Sequence, residues 1–335
     1  MKVLFIGGTG TISSAVSKLA VTRDINLVLF NRGNNSALVP KGVRVIEGDI
    51  HNPESRTILR QHHFDVVVNW VAFTPDQVQN DIDTFENYTD QYIFISSASV
   101  YQKPVGHYLL TESTPLKNPY WRYARQKIEA EQLLMDRYRN TGFPVTIVRP
   151  SHTYGDATIP ASLNSHKLPW SIIDRMQRKK PIIVHGDGSS LWTVTHNTDF
   201  ALAFLGLLGQ PSSFGHAFHI TSDEVLTWNQ IHQMIGHAAG IQPHLVHIAS
   251  DFIAEVIPTR AGGLLGDKVH SVVFDNTKIK RWVPGYRATV SFAEGIRRTL
   301  QWFEAHPDQR LLDTEWDAEM DRVISAYTKG YTMNR

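Results

Sequence analysis

The chain contains no cysteine, which removes disulfides, thiolate zinc sites, iron-sulfur clusters and cysteine nucleophiles together. Nor is there a surplus of charge: 33 Lys and Arg against 32 Asp and Glu leave a formal net charge of +1, too little field to recruit nucleic acid or an anionic membrane. The longest apolar stretch, residues 200–208, is too short to span a bilayer. The first strand passes straight into glycines without a signal-peptide core, so a soluble cytoplasmic protein is expected. Internal repeats, low-complexity tracts and long linkers are also missing. What is present is an ordinary globular composition, 42% hydrophobic and 19% charged over 335 residues, enough for roughly two domains or one large one.

Up to about residue 150 one pattern repeats: a short apolar run rich in Val, Ile, Leu and Phe, a turn, then a longer amphipathic stretch. The runs are residues 3–6, 27–30, 43–46, 66–68, 92–95 and 145–148. Such alternation predicts parallel strands covered by helices on both faces, an α/β fold with a doubly wound Rossmann sheet. Beyond Pro150 the texture turns irregular and then helical. Thr227 with Gln230, and Ser291 with Glu294, have capping-box spacing before apolar stripes. The expectation is a dinucleotide-binding domain over 1–155 and a smaller, mostly helical substrate domain over 156–335. A strand near 216–221 is expected to return to the first sheet and interleave the two.

Immediately after the first strand comes Gly7-Gly8-Thr9-Gly10-Thr11-Ile12-Ser13, opening a helix. Glycines there let the backbone turn tightly and approach a pyrophosphate, which would rest on free N–H groups at the helix N-terminus. The second strand ends in Asn31-Arg32, where an NAD-specific site carries an acidic residue for the ribose 2′-hydroxyl. An uncharged Asn31 and a cationic Arg32 favour a 2′-phosphate, hence NADP over NAD. Asp49 and Ile50 after the third strand, and Ala72 after the fourth, complete the expected cofactor set.

Tyr123 and Lys127 are four residues apart, which on a helix puts them on one face about one turn apart. A tyrosine hydroxyl titrates near 10, so bringing it near neutrality needs about 4 kcal/mol. An adjacent ammonium and a cationic nicotinamide would supply that. The pair lies downstream of a strand ending Ser96-Ser97-Ala98-Ser99-Val100-Tyr101.

With these motifs, and with Arg149-Pro150, Tyr154-Gly155, Gly186-Asp187-Gly188, His196 with Asp199, and Phe274-Asp275 with Lys278, the chain resembles the extended short-chain dehydrogenase/reductases, the NAD-dependent epimerase/dehydratase family, over nearly its whole length. The resemblance implies that Ser97 orients the substrate hydroxyl and that Tyr123 exchanges its proton while hydride moves to or from nicotinamide. Lys127 would hold the nicotinamide ribose. It also implies a homodimer through the helix bearing Tyr123 and the long helix before it.

Departures narrow the reaction. Ser13 stands where the third glycine would be. Ala98-Ser99 replaces the Asp-Glu of sugar dehydratases, which speaks against dehydration. Trp192 and His152 occupy positions where nucleotide-sugar enzymes usually carry Arg and Asn, exchanging a bidentate phosphate fork for a stacking face. Ser99, His152 and Trp192 are therefore candidate substrate contacts. Sixteen histidines fit no metal-ligand spacing, and no metal is expected. The reading is an NAD(P)-dependent oxidoreductase or epimerase acting on a secondary alcohol or ketone of a sugar or sugar-like substrate. The alternative is a non-catalytic dinucleotide-sensing or RNA-binding member of the same fold.

Overall fold

The computed structural model describes residues 1–332. Its centre is a seven-stranded parallel sheet: β1 (Lys2–Ile6), β2 (Asn26–Asn31), β3 (Arg44–Glu47), β4 (Val66–Asn69), β5 (Tyr92–Ile95), β6 (Val145–Pro150) and β7 (His216–Ile220). The spatial order is β7-β6-β5-β4-β1-β2-β3. All six apolar runs form strands, and the returning strand pairs parallel to β6 with His216 opposite Thr146. These strands are almost wholly apolar because helices cover both faces of a parallel sheet.

The chain leaves β1 toward β2 and β3, then crosses back so that β4 lies on the other side of β1. At that reversal the loops after β1 and β4 part in opposite directions and leave a crevice at the carboxyl ends of the strands. Helix α1 (Thr11–Thr22) follows β1, α2 (Pro53–Leu59) follows β3, and α3 (Pro75–Phe85) follows β4 behind a capping box of Thr74 and Gln77. Helix α4 (Arg122–Thr141) is long and closes on Gly142 in the left-handed region, as glycine permits without a Cβ penalty.

One apolar core lies between the sheet and α1 with the helix Asn197–Leu205, and a second between the opposite face and helices α3 and α4. A third, built from residues 98–323, gathers Trp192, Trp228, Trp170 and Trp316. This third region is largely helical but also holds strand pairs the sequence reading missed, such as Ile182–His185 with Leu245–Ile248. Runs of four residues pairing across 60 positions show no periodicity that separates them from loop. Of the expected capping boxes, Thr227 and Gln230 bond reciprocally. Ser291 caps Glu294 N–H, but the Glu294 carboxylate turns outward to Arg297 and Arg298. The final helix, Thr314–Thr332, docks through Trp316, Met320 and Val323. No helix among the described residues is long and apolar enough to cross a membrane.

Candidate active site

The glycine loop sits at the mouth of the crevice. Gly7 and Gly8 both have φ of +98°, a region open to glycine and strained for other residues. A Cβ on Gly8 would fall 2.6 Å from Leu29 Cδ2, so this loop can lie against β2 only as glycine. Ser17 Oγ donates to Gly8 O at 2.9 Å, and Gly10 N–H donates to Ser13 Oγ at 2.9 Å. Ser13, in place of the third glycine, thus ties down the loop instead of merely allowing close packing. The first intrahelical bond runs from Ser14 N to Gly10 O, leaving the N–H groups of residues 11–13 at the helix start for an anion.

A cavity of about 400 Å³ opens above this loop, lined by Gly7, Gly8, Thr9, Gly10, Asn31, Arg32, Asp49 and Ile50, with Trp70, Val71 and Phe73 along its other wall. Thr11 turns aside: Asn197 Nδ2 donates to its carbonyl at 2.8 Å. Ile12 packs into the core under α1. Asn31 Oδ1 accepts Gly33 N–H at 2.9 Å and Asp49 Oδ1 accepts His51 N–H at 3.0 Å, so both side chains shape turns. Arg32 is exposed and pairs with no carboxylate among the described residues. Glu47 reaches the same corner, its Oε1 3.4 Å from where a Gly33 Cβ would be. Sequence reasoning missed Glu47 because its proximity depends on β2–β3 register.

Ala72 does not line the cavity with its side chain; its carbonyl accepts Lys127 Nζ at 2.6 Å, and Ile95 O accepts the same ammonium at 2.7 Å. The segment carrying Ala72 is held by Asn69 Oδ1, which takes the N–H groups of Val71 and Ala72 at 2.7 and 2.9 Å. Asn69 Nδ2 donates to Asp81 at 2.5 Å, and Tyr92 OH donates to the same carboxylate at 2.6 Å. No sequence spacing pointed to this buried Asn69–Asp81–Tyr92 set, because its members lie on two strands and a helix.

Tyr123 and Lys127 share a face of α4, the ammonium 5.8 Å from the centre of the phenol ring. Ser97 lies near enough to the Tyr123 hydroxyl to favour its ionised form, and its Oγ is 2.9 Å from Ser99 Oγ. Ser97 and Lys127 therefore stand beside Tyr123, and Phe73, which lines the cavity, is 6.2 Å from Tyr123, ring to ring. The phenol is nevertheless harder to ionise than free tyrosine. Burial raises its pKa, Ser97 lowers it, and the Asp267 carboxylate raises it again. Burial also brings Lys127 down to about 7. Acidification is expected from the ammonium together with a cationic nicotinamide; among the protein groups alone desolvation outweighs every favourable contact, and Lys127 gives N–H groups to two carbonyls.

Of the substrate candidates, Ser99 is buried against Ser97, and its carbonyl accepts Asn118 Nδ2 at 2.9 Å. His152 stands on the short strand His152–Tyr154 with its ring 6.2 Å from Trp228; burial drives its pKa down to about 3. Trp192 is 2% exposed, tilted against Trp228 at 5.2 Å, with its Nε1 unpaired. The structure therefore puts Trp192 in the wall of the third core rather than on an open face. Among the described residues no three His, Asp or Glu side chains gather as a metal-ligand set.

The family model for the NAD-dependent epimerase/dehydratases matches residues 3–221, from the first strand through the returning one. The chain belongs to that family. It is 26% identical to the chloroplast stem-loop binding protein of 41 kDa b from Arabidopsis thaliana over 73% of this chain and 65% of that one. It is 22% identical to the 2′-dehydrokanamycin reductase of Streptomyces kanamyceticus over 86% and 80%. The chain thus spans just under two thirds of the first of these relatives. Among solved structures, a UDP-glucuronic acid 4-epimerase from Bacillus cereus, in complex with UDP-glucuronic acid and NAD, superposes with a TM-score of 0.73 at 20% identity, covering 91% of this chain and all of that one. At that identity the superposition speaks for the shared fold. The family is one of NAD-dependent epimerases and dehydratases, and the Rossmann sheet with its helical C-terminal region is a fold shared with solved structures.

Proposed function

We propose that this chain is an NAD(P)-dependent oxidoreductase or epimerase acting on a secondary alcohol or ketone of a sugar or sugar-like substrate. The observation that supports the reading is that Ser97 and Lys127 stand beside Tyr123, next to Phe73, which lines the glycine-floored cavity. Ser97, with Ser99 behind it, would orient the substrate oxygen. Tyr123 would pass its proton to or from that oxygen. Lys127, fixed by two carbonyls, would present its remaining N–H to the nicotinamide ribose. A bound oxidised nicotinamide supplies the hydride-accepting carbon and a positive charge beside the phenol. The residues present fit such a group: free helix-start N–H groups for the pyrophosphate, and a cavity whose floor excludes any Cβ at position 8.

Within this reading we favour a reductase that exchanges NADP(H). An unpaired, exposed Arg32 at the ribose corner supports the 2′-phosphate, although Glu47 nearby works against it. The likeness to a reductase over 86% of the chain points the same way. We further propose a domain division at 155/156, a homodimer through α3 and α4, and a cytoplasmic location. The stem-loop binding relative supports a second reading, RNA binding without catalysis. Against it stand the retained Tyr123 and Lys127 and the lack of a basic surplus. The test is to denature purified protein, identify any released nucleotide, and follow oxidation of NADPH and NADH with keto-sugars. Binding of neither nucleotide would overturn the catalytic reading, as would RNA binding that survives with no turnover.

A further inference from the structure

Tyr123 meets the cofactor cavity through Phe73. Its ring also lies 4.8 Å from Trp121, and its phenol feels Asp267. Asp267 sits in a π-helical turn, Leu264–Lys268, a rare geometry that recurs at functional sites. The turn is pinned to the catalytic segments. Asn118 Nδ2 donates to Gly266 O at 2.7 Å and to Ser99 O, while Asn118 Oδ1 receives the N–H groups of Tyr120 and Trp121. A Cβ at Gly266 would stand 2.9 Å from Asn118 and Trp121, so the turn can approach this closely only as glycine.

Lys103 comes from the segment just beyond Ser97–Tyr101. Its N–H donates to Lys117 O at 2.8 Å, and its side chain is 1% exposed. Its Nζ lies 4.0 Å from Asp267 Oδ1, too far for a hydrogen bond, and no acceptor meets it among the described residues. Lys268 is placed with equal care. His185 Nε2, Trp228 Nε1 and Ser190 Oγ all reach its carbonyl, at 3.1, 3.2 and 3.3 Å, yet its ammonium likewise has no hydrogen-bond acceptor among the described residues. Arg260, which also bears on Lys268, is occupied by Asn164 O and Glu319.

The buried ion pairs that hold this fold together look different. Arg149 grips Glu131 through bonds of 2.5 to 3.2 Å, and Arg175 meets Asp317 and Asp321 at 2.7 and 2.8 Å. Around Asp267, whose carboxyl burial pushes up, Lys103 Nζ has only a carboxylate oxygen 4.0 Å away and the half-buried Lys268 brings a second amine, beside His152 and His185, which burial pushes down. A buried cation without an acceptor is a standing cost to the fold, and burial accordingly pulls both lysines below their ordinary pKa.

We propose that Lys103 and Lys268 read an anionic substituent, a carboxylate or a phosphate, on the substrate whose hydroxyl Tyr123 serves. This rests on the functional reading above and gives it a substrate class: sugar acids or sugar phosphates, gripped from the strand end and the π-turn instead of from the position where this chain has Trp192. Lys103 and Lys268 are then specificity-determining residues.

The test is calorimetric binding to the full-length protein with NADPH added, using D-glucose, D-glucuronate, D-glucose 6-phosphate and UDP as probes. The expected result is that at least one anionic probe binds tenfold or more tighter than glucose, and that Lys103→Met removes the advantage while Lys103→Arg keeps part of it. Which anion responds separates carboxylate, monophosphate and diphosphate sources. Because Lys103→Met replaces an uncompensated buried charge with an apolar chain of similar length, the unliganded variant is expected to melt at or above the parent. A fall in melting temperature, with anion binding unchanged, would mean a structural ion group and overturn the proposal, as would equal binding of glucose and all three anions. Lys268→Met provides the second arm should Lys103→Met fail to fold. Lys103-dependent anion binding without turnover of any keto-sugar would sink the catalytic reading and leave the subsite standing; turnover of anionic keto-sugars, with KM unaffected by Lys103→Met, would do the reverse.

Discussion

The cofactor end of the crevice and the substrate end are built by different means. At the cofactor end the work is done by backbone: two glycines at positive φ, helix-start N–H groups, and carbonyls of Ala72 and Ile95 that receive Lys127, with Gly8, Gly10 and Ala72 held by side-chain bonds from Ser17, Ser13 and Asn69. At the substrate end the work falls to side chains from distant segments, and several packed behind it are buried with a polar atom unpaired, Trp192 Nε1, Thr193 Oγ1 and His185 Nδ1, as Trp70 Nε1 is in the cofactor wall. Backbone geometry serves every ligand with a pyrophosphate. A buried side-chain group left unpaired costs stability.

That contrast predicts the largest functional loss where the two ends meet. Tyr123→Phe removes the one proton carrier and leaves the ring packing against Trp121 and Phe73. Turnover should fall by about 10² to 10⁴, while the dissociation constant for NADPH, measured by fluorescence titration, stays within about twofold. Comparable losses in both would mean that Tyr123 holds cofactor and does no proton transfer.

A smaller loss is expected from the floor of the cavity. Gly8→Ala forces a Cβ into Leu29 at a φ of +98°, a strain of about 1 to 3 kcal/mol. Dinucleotide affinity and melting temperature should drop together, with the rate at saturating cofactor little changed. Smaller again is Arg32→Ala. The side chain is exposed, so its charge is screened; NADPH binding should weaken by about three- to tenfold with NADH binding unaltered, and the gap should close at high salt. Equal weakening of both cofactors would remove the argument for a 2′-phosphate.

The two ends also differ in how far they could be read from the sequence. Gly7, Gly8 and Gly10 between an apolar run and a helix, and Tyr123 four residues before Lys127, are local signals, and the six apolar runs gave the strands because a parallel sheet buries both faces. The same local logic could not find Glu47, which nears Gly33 only through strand register, or Asp267, some 140 residues from Tyr123 and joined to it by the packing of one glycine on Asn118. It also left Trp192 as an open stacking face, because a substitution at a known position says which group is gone but not how its replacement packs against Trp228. The balance that sets the acidity of Tyr123 was hidden for a related reason: spacing shows that an amine is near and is silent on desolvation.

The smallest effect on activity, and the clearest on stability, concerns pH. Buried Asp81 behind the cofactor end has its carboxyl pKa raised by burial to about 7, against the lowering pull of its bonds from Tyr92 and Asn69. The folded chain therefore holds this proton to a higher pH than the unfolded chain, and the group withdraws stability as pH rises from about 3.8 to about 7. Behind the substrate end the sign is opposite: burial lowers His185 to about 3 and His232 to about 4, so the unfolded chain takes up those protons first and stability is lost as pH falls below about 6.5. The two contributions oppose each other across the same window, but His152, also lowered to about 3, adds to the histidine side, so the parent protein should gain stability as pH rises from about 4 to 6.5. Asp81→Asn keeps an acceptor for Tyr92 and Asn69 but cannot ionise. Urea midpoints measured from pH 4 to 8 should match the parent near pH 4, rise above it increasingly toward pH 7, and run parallel thereafter, while turnover changes by less than about threefold. A variant curve parallel to the parent throughout would show that Asp81 stays ionised in the folded chain. The histidines alone would then have to account for the pH profile, and the asymmetry between the two ends would vanish.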